Sequence, residues 1–183
     1  SNAYLVIIGD VNYDEVKSKV TDLFGPWDSK EVSSSSFPSP NNPDETEIIF
    51  VDMPNGVQSV VSVINTVEFN KKNSDYFAAL VADRILGGGG AGRLFNNLRE
   101  DKGWTYGSYS GISESYKTKG LVIAQAQVRN EVTDSAAVEL LKELDKMKNT
   151  FVLDEELNSA KAKYTGNFVL SLENPSTIAG FAR

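Results

Sequence analysis

The chain has 183 residues, with 18 basic and 25 acidic side chains and neither cysteine nor histidine. Without those two residue types it cannot form a disulfide, a thiol nucleophile, a Ser-His-Asp triad or an ordinary zinc site. The net charge of −7 argues against general binding to nucleic acid, which requires clustered Lys and Arg. Any catalysis by this chain therefore uses carboxylate, Lys, Arg, Tyr, Ser or backbone groups.

The remaining composition predicts one soluble globular domain. Hydrophobic residues make up 40% and charged residues 23% of the chain, as in ordinary folded proteins. No apolar run reaches the roughly 18 residues that a membrane span needs. Residues 1–3 match an expression scar left by tag removal, so the predicted domain is 4–183. No targeting segment is visible, which leaves a cytoplasmic and a periplasmic location equally open.

The first quarter of the chain predicts a strand, a helix and a long connector. Residues 4–8 form a short apolar run, which is typical of a buried strand. Asn12 is placed to cap a helix that ends at Gly25-Pro26. Residues 25–46 hold four of the six prolines and a run of four serines, 33–36. We expect this Pro/Ser-rich stretch to be an irregular connector laid over a surface.

Next come two strand candidates and two helices. Residues 47–52 and 58–65 are predicted strands, joined by a turn that contains the hairpin pair Asn-Gly. Residues 75–86 carry an apolar helical stripe, and four consecutive glycines then break the helix. A short helix is predicted over 93–100, after which a glycine at position 103 can adopt the left-handed conformation that ends helices.

The last third predicts two strands and three helices. Residues 105–114 are β-like, and 120–129 alternate between apolar and polar side chains, as in a half-buried strand. Helices are predicted over 134–148 and 154–172, and a final helix begins at Asn174-Pro175 and is cut after about two turns. This order of elements predicts an α+β fold, with a mainly antiparallel sheet and helices packed on one face.

Three patterns resemble functional motifs but favour structural explanations. Gly87, Gly89 and Gly92 match the spacing G-x-G-x-x-G, yet a dinucleotide fingerprint follows a strand and these follow a helix. Tyr13 and Lys17 have the spacing of a proton-transfer pair, but a core tyrosine beside a solvated lysine is the simpler interpretation. The three acids at 154–156 complement the dipole at the start of a helix.

Arg99 and Tyr106 form the strongest candidate site. Arg99 lies at the edge of a helical apolar stripe, and Tyr106 begins a strand seven residues later. Both side chains are therefore expected at one helix–strand corner. A guanidinium and a phenol placed together can donate hydrogen bonds to a carbonyl or to a developing oxyanion. A structural arginine and a core tyrosine remain the alternative from the residues alone.

The same corner resembles the C-terminal-domain signature of the inverted-zincin peptidases. This family includes pitrilysin, insulin-degrading enzyme and the mitochondrial processing peptidase. The resemblance covers essentially the whole chain. The matching motifs are Ile85-Leu86-Gly87-Gly88-Gly89, Arg93-Leu94, and Leu98-Arg99-Glu100-x-Lys102-Gly103-Trp104-x-Tyr106-Gly107, with support from Val6-Ile7-Ile8-Gly9-Asp10-Val11, Phe24-Gly25-x-Trp27 and Gln58-Ser59.

The resemblance implies that this chain is the metal-free half of a split active site. In such enzymes two related α+β domains face each other across a cavity, and the first carries H-x-x-E-H and the zinc ion. The resemblance assigns Arg99 and Tyr106 to the substrate carbonyl and the tetrahedral intermediate. It places Gly87, Gly88, Gly89 and Gly90 near the seam between the domains. Zinc is then expected on a partner domain, in the same or another polypeptide, and the chain alone should be inactive.

Two other functions are compatible with the same fold. Relatives of these peptidases include non-catalytic scaffold or assembly subunits, and a free-standing peptide-binding module is a third interpretation. Retention of both Arg99 and Tyr106 favours the peptidase, because a scaffold has no use for the pair. An intact H-x-x-E-H motif in the partner domain would support the peptidase, whereas a degraded one would support the scaffold.

Overall fold

The computed structural model describes residues 3–28, 30–33 and 36–181. Two residues of the predicted scar and the middle of the serine run (34–35) lie outside these ranges. The helices are α1 (Tyr13–Phe24), α2 (Tyr76–Leu86), α3 (Arg93–Phe95), a π-helix (Asn96–Asp101), a 3₁₀ turn (Asn130–Val132), α4 (Thr133–Asn149), α5 (Asp154–Ser171) and α6 (Pro175–Phe181). The strands are β1 (Gln58–Val67), β2 (Thr105–Ile112) and β3 (Gly120–Arg129).

The three strands form one antiparallel sheet in the order β1-β3-β2. In β3 the predicted alternation is present, because Ala124, Ala126 and Val128 are buried while the residues between them are exposed. Helix α4 packs against β1 and β3, and α2 packs against β2. The predicted α+β fold with an antiparallel sheet is therefore confirmed.

The core lies between this sheet and the helices. Leu94, Leu98, Val128 and Leu140 have no more than a trace of exposed surface and belong to one apolar cluster. Burying each such side chain contributes roughly 1.5–3 kcal/mol to folding. Leu94 and Leu98 belong to α3 and the π-helix, so the core holds in place the segment that carries Arg99.

The chain divides into two compact units. The larger unit, 37–164, contains the sheet, α2, α3, the π-helix and α4. The smaller unit joins 1–36 with 165–183. In it, Asn12 caps α1 as predicted, because its Oδ1 accepts hydrogen bonds from the backbone N–H groups of Asp14 (2.9 Å) and Glu15 (3.2 Å). That the two units form one domain stays a prediction.

Two predicted strands are not formed. Residues 4–8 and 47–52 carry neither helix nor strand, although the turn after the second run is present, with the N–H of Gly56 3.0 Å from the carbonyl oxygen of Met53. In the second run Ile48 and Phe50 are 92% and 83% exposed. The predictions were wrong because apolar β-formers become a strand only where another strand pairs with them.

The connector is tied to the sheet near its end. The side chain of Asn42 donates to the carbonyl oxygen of Thr66 (3.1 Å), and its Oδ1 accepts from the N–H of the same residue (2.7 Å). This two-way contact satisfies both backbone groups of Thr66 near the end of β1. No helix within the described ranges is both long and apolar enough to cross a bilayer.

Candidate functional site

Arg99 lies on a π-helical turn that the sequence did not predict. The predicted helix over 93–100 is present, but after one turn of α3 it widens into the π-helix Asn96–Asp101. Gly103 then adopts the left-handed conformation with φ +61°, as expected, and the N–H of Trp104 bonds to the carbonyl oxygen of Leu98 at 3.0 Å. Single π-helical turns occur frequently at functional sites.

The guanidinium of Arg99 is held from one side and is accessible from the other. Its Cζ lies 4.7 Å from the ring centroid of Phe95, a cation–π contact that supports the side chain. Its Nε is 3.7 Å from Oε1 of Glu100, beyond hydrogen-bond distance. The side chain is 46% exposed, so its N–H donors remain available to a ligand.

A bulge at the start of β2 presents Tyr106. The pairing with β3 shifts between Thr105 and Ser108, so β2 carries one extra residue there. The hydroxyl of Thr105 donates to the carbonyl oxygen of Gln127 (2.5 Å) and accepts from the N–H of Gly107 (3.0 Å), which fixes the bulge. Bulges redirect side chains, and Tyr106 is 86% exposed rather than a core tyrosine.

Tyr106 borders a groove of about 360 Å³ on the sheet face opposite the helices. The groove is lined by Gln58, Val60, Thr105, Tyr106, Gly107, Tyr109, Gln125, Ala126 and Gln127. Arg99 is not part of this lining and lies at the corner that precedes β2. The structure thus brings Tyr106 into a groove and places Arg99 beside the strand that carries it. Their convergence on one substrate atom stays a prediction.

A partly buried polar cluster attaches the π-helix to α4. We call Asn97, Glu139 and Glu143 the Asn97 clamp. The Nδ2 of Asn97 donates to Glu139 (3.0 Å) and to Glu143 (2.7 Å), and its Oδ1 is buried without a partner. Glu143 is only 4% exposed. The clamp fixes the turn that presents Arg99, two residues from the shared amide.

The clamp was not predicted from the sequence, although α4 carries one signal for it. Glu143 follows Ala136 and Leu140 by seven and three residues, which places it on the apolar stripe of α4. An acid at such a position needs buried partners. Its partners are Asn97 and Lys146, whose Nζ lies 2.7 Å from Oε1 of Glu143.

The clamp should make stability depend on pH. Hydrogen bonds from Lys142 and then Asn97 lower the pKa of Glu139 from 4.5 to about 2. Because the folded pKa is the lower one, the stabilisation is fully present above pH 4.5 and is lost as the pH falls toward 2. Urea unfolding should therefore show Glu139→Gln less stable than the parent at pH 7, with the gap narrowing between pH 4.5 and 2.5. Exposed Glu173→Gln is the control, and an equal gap at both ends would contradict this assignment.

The glycine run has a structural function at its first position. A Cβ on Gly87 would lie 2.6 Å from the backbone nitrogen of Ser110, and one on Gly92 would lie 2.7 Å from the Cα of Gly87. These glycines therefore allow α2 to end in direct contact with β2. Gly90 has φ +76°, which a glycine adopts without strain. A seam or substrate function of Gly87, Gly88, Gly89 and Gly90 stays a prediction.

The other motif candidates are structural or solvated. Tyr13 is 73% exposed, so its expected place in a core was wrong, and the Nζ of Lys17 lies 5.8 Å from its ring. Of the three acids at the start of α5, Glu156 binds Arg93 through two hydrogen bonds of 2.7 and 2.6 Å. That ion pair anchors α5 to the start of α3.

A zinc ion has no fitting ligand set in this chain. The sequence contains no histidine or cysteine, and zinc sites depend on imidazole or thiolate. Among the residues that the structure describes, no group of three or more carboxylates is arranged to hold a metal ion. The chemistry available at this site is therefore hydrogen-bond donation by Arg99 and Tyr106.

Comparison with known proteins gives a consistent family assignment. The family model described as the Peptidase M16 inactive domain matches residues 1–164. The zinc protease YmxG of Bacillus subtilis is 30% identical over 98 residues, which are 54% of this chain and 24% of that protein. A zinc protease of Rickettsia felis is 28% identical over 174 residues, which are 94% of this chain and 40% of that protein.

A solved structure supports the fold. A protease from Helicobacter pylori superposes with a TM-score of 0.80 at 20% identity, over 94% of this chain and 42% of that chain. The chain thus spans less than half the length of the proteins that it matches here.

Proposed function

Since the chain belongs to the peptidase family represented by that inactive domain, we propose that it is the substrate-holding half of a two-domain zinc endopeptidase. The resemblance drawn from the sequence is confirmed by the family match and by relatives named as zinc proteases. In the proposal, the zinc ion and the attacking water belong to a partner domain. This chain contributes Arg99 and Tyr106.

The two side chains act as donors to the peptide carbonyl. During hydrolysis, negative charge develops on that oxygen as the carbonyl carbon becomes tetrahedral. The Arg99 guanidinium supplies a charged N–H donor, and the Tyr106 phenol supplies a neutral O–H donor. Donors that are positioned before the reaction stabilise the transition state more than the ground state, so they raise kcat.

The observation that carries the proposal is the availability of both donors at one helix–strand corner. Arg99 is 46% exposed on a turn fixed by the Asn97 clamp, and Tyr106 is 86% exposed on a bulge fixed by Thr105. Tyr106 is too exposed to belong to the core, and Arg99 makes no hydrogen bond to another described side chain that would occupy its donors.

Reconstitution tests this function. The chain, its zinc-carrying domain, and the two together would be assayed with internally quenched peptides and zinc. Cleavage is expected only from the combination, and it should disappear when the Glu of the partner's H-x-x-E-H motif is changed to Gln. Zinc-dependent cleavage by the chain alone would contradict the split site. A combination that binds tightly but cleaves no peptide would instead favour the scaffold.

A further inference from the structure

The turn before β1 contains the only asparagine of the sequence that is followed by glycine, Asn55-Gly56. The turn has the pattern of type II, with Pro54 in its second position and Asn55 at φ +66° in its third. The N–H of Gly56 closes it by donating to the carbonyl oxygen of Met53 at 3.0 Å. Asparagine tolerates this left-handed conformation better than most residues with a side chain, so the backbone of Asn55 serves the turn.

The side chain of Asn55 serves no such purpose. The whole turn is exposed, and the Asn55 carboxamide makes no hydrogen bond to another group in the described part of the chain. Because Gly56 has no Cβ, nothing shields its backbone nitrogen from the neighbouring side chain. A free amide carbon therefore lies next to an accessible nitrogen of the same chain, and such proximity strongly accelerates ring closure.

We propose that Asn55 is a site of spontaneous deamidation, whose isoaspartyl product loosens the start of β1. The nitrogen of Gly56 loses its proton to hydroxide and attacks Cγ of Asn55. Ammonia leaves, and the product is a five-membered succinimide ring. Water then opens the ring at one of its two carbonyl carbons, which gives aspartate or isoaspartate. The reaction exchanges an amide for a carboxylate, and it consumes only water.

The hydrogen bond of the turn opposes this reaction only weakly. The N–H of Gly56 must leave the carbonyl oxygen of Met53 before its nitrogen can attack. One backbone hydrogen bond in an exposed turn slows such an opening by no more than about tenfold. Asn55 in the folded chain should therefore react nearly as fast as in an unstructured peptide.

The two products should affect the sheet differently. The carbonyl oxygen of Gly56 accepts from Nδ2 of Asn130 at 2.7 Å, and Oδ1 of Asn130 accepts from the hydroxyl of Ser59 at 2.9 Å. These bonds tie the turn to the residue that follows β3. Isoaspartate adds one atom to the main chain before Gly56, which moves that carbonyl away from Asn130. Aspartate leaves the main chain unchanged and adds only a negative charge.

Incubation of the purified chain tests the reaction. Peptide mapping by mass spectrometry would follow every asparagine at neutral and mildly alkaline pH. Asn55 should become the main deamidated residue, and faster at the higher pH because hydroxide removes the proton of Gly56. Two asparagines that precede serine are internal controls and should stay intact. Oδ1 of Asn73 is held by the N–H of Asn70 at 2.8 Å, and Asn158 is exposed but lies within α5.

A matched variant and a reference peptide complete this test. Asn55→Gln keeps the amide but lengthens the side chain by one methylene, so a five-membered ring cannot form, and this segment should not change in mass. A synthetic peptide with the sequence of residues 50–60 gives the rate without the turn. If Asn55 stays intact in the chain while the peptide is converted, or reacts no faster than Asn73 and Asn158, the site is overturned.

Hydrogen exchange tests the structural consequence. In the isoaspartyl form, separated by chromatography, the amides of residues 56–59 should exchange about tenfold faster, the effect of losing one hydrogen bond. Asn130→Ala removes the same tie without modification and should show the same increase, whereas Asn55→Asp should exchange like the parent. Equal exchange in the isoaspartyl and parent forms overturns the loosening. Neither measurement depends on peptide cleavage, so the peptidase function is tested separately.

Discussion

Replacing Arg99 with alanine should lower kcat of the complete enzyme by about 10²–10³-fold and change KM much less. Removing one hydrogen-bond donor to a developing oxyanion typically lowers kcat by about this factor. KM should respond weakly because the interaction strengthens only as charge develops on the carbonyl oxygen. Steady-state kinetics on a single quenched peptide, with active enzyme counted by zinc content, would measure both parameters.

The stability of the same variant separates catalysis from folding. Arg99 is 46% exposed, and its nearest carboxylate oxygen is 3.7 Å away, so this surface pair contributes little to stability. The free energy of unfolding of Arg99→Ala should therefore lie within about 1 kcal/mol of that of the parent. Lys148→Ala removes one exposed positive charge from α4 and should retain full activity. Undiminished turnover in Arg99→Ala would remove Arg99 from the mechanism.

Local patterns predicted the elements that local physics determines. The alternation around Ala124, Ala126 and Val128 predicted β3, and the left-handed exit at Gly103 was read from a glycine after a helix. The cap of α1 at Asn12 was likewise readable from one side chain before an apolar stripe. In each of these cases the sequence pattern that predicted the element lies within a few residues.

The elements that were mispredicted depend on distant partners. Residues 47–52 have the composition of a strand, but a strand forms only against an edge, and that edge is decided by the whole sheet. The π-helical turn depends on Leu94 and Leu98 filling the core while Asn97 reaches α4. The groove depends on the register that places Val60 opposite Gln127. Such long-range pairings leave little trace in a single sequence.

The candidate site depends both on local sequence patterns and on long-range contacts. Arg99 and Tyr106 could be recognised from the sequence as a motif. The π-helical turn that presents Arg99 and the bulge that presents Tyr106 could not. Since both local irregularities are fixed by hydrogen bonds within the protein, the geometry of the donors should depend on residues that touch no substrate. Asn97 is the clearest of these positioning residues.

Asn97→Leu should therefore destabilise the chain by about 2–3 kcal/mol and also lower kcat. The substitution removes two hydrogen bonds to carboxylates, each contributing roughly 1.5–3 kcal/mol, and leaves Glu143 buried with Lys146 alone. The destabilisation stays below the sum of the two hydrogen-bond contributions because the substitution also removes Oδ1 of Asn97, which is already buried without a partner. Urea unfolding at pH 7 would measure the change in free energy.

The variant to compare with it is the double substitution Asn97→Leu with Glu143→Leu. Replacing both partners by apolar side chains of similar size removes the buried carboxylate that has lost its amide donor, so much of the lost stability should return. Turnover should not return with it, because the π-helical turn that presents Arg99 would no longer be fixed to α4 by its amide. A positioning function therefore predicts that stability and kcat separate in the double variant. Full recovery of both would show that Asn97 acts on folding alone.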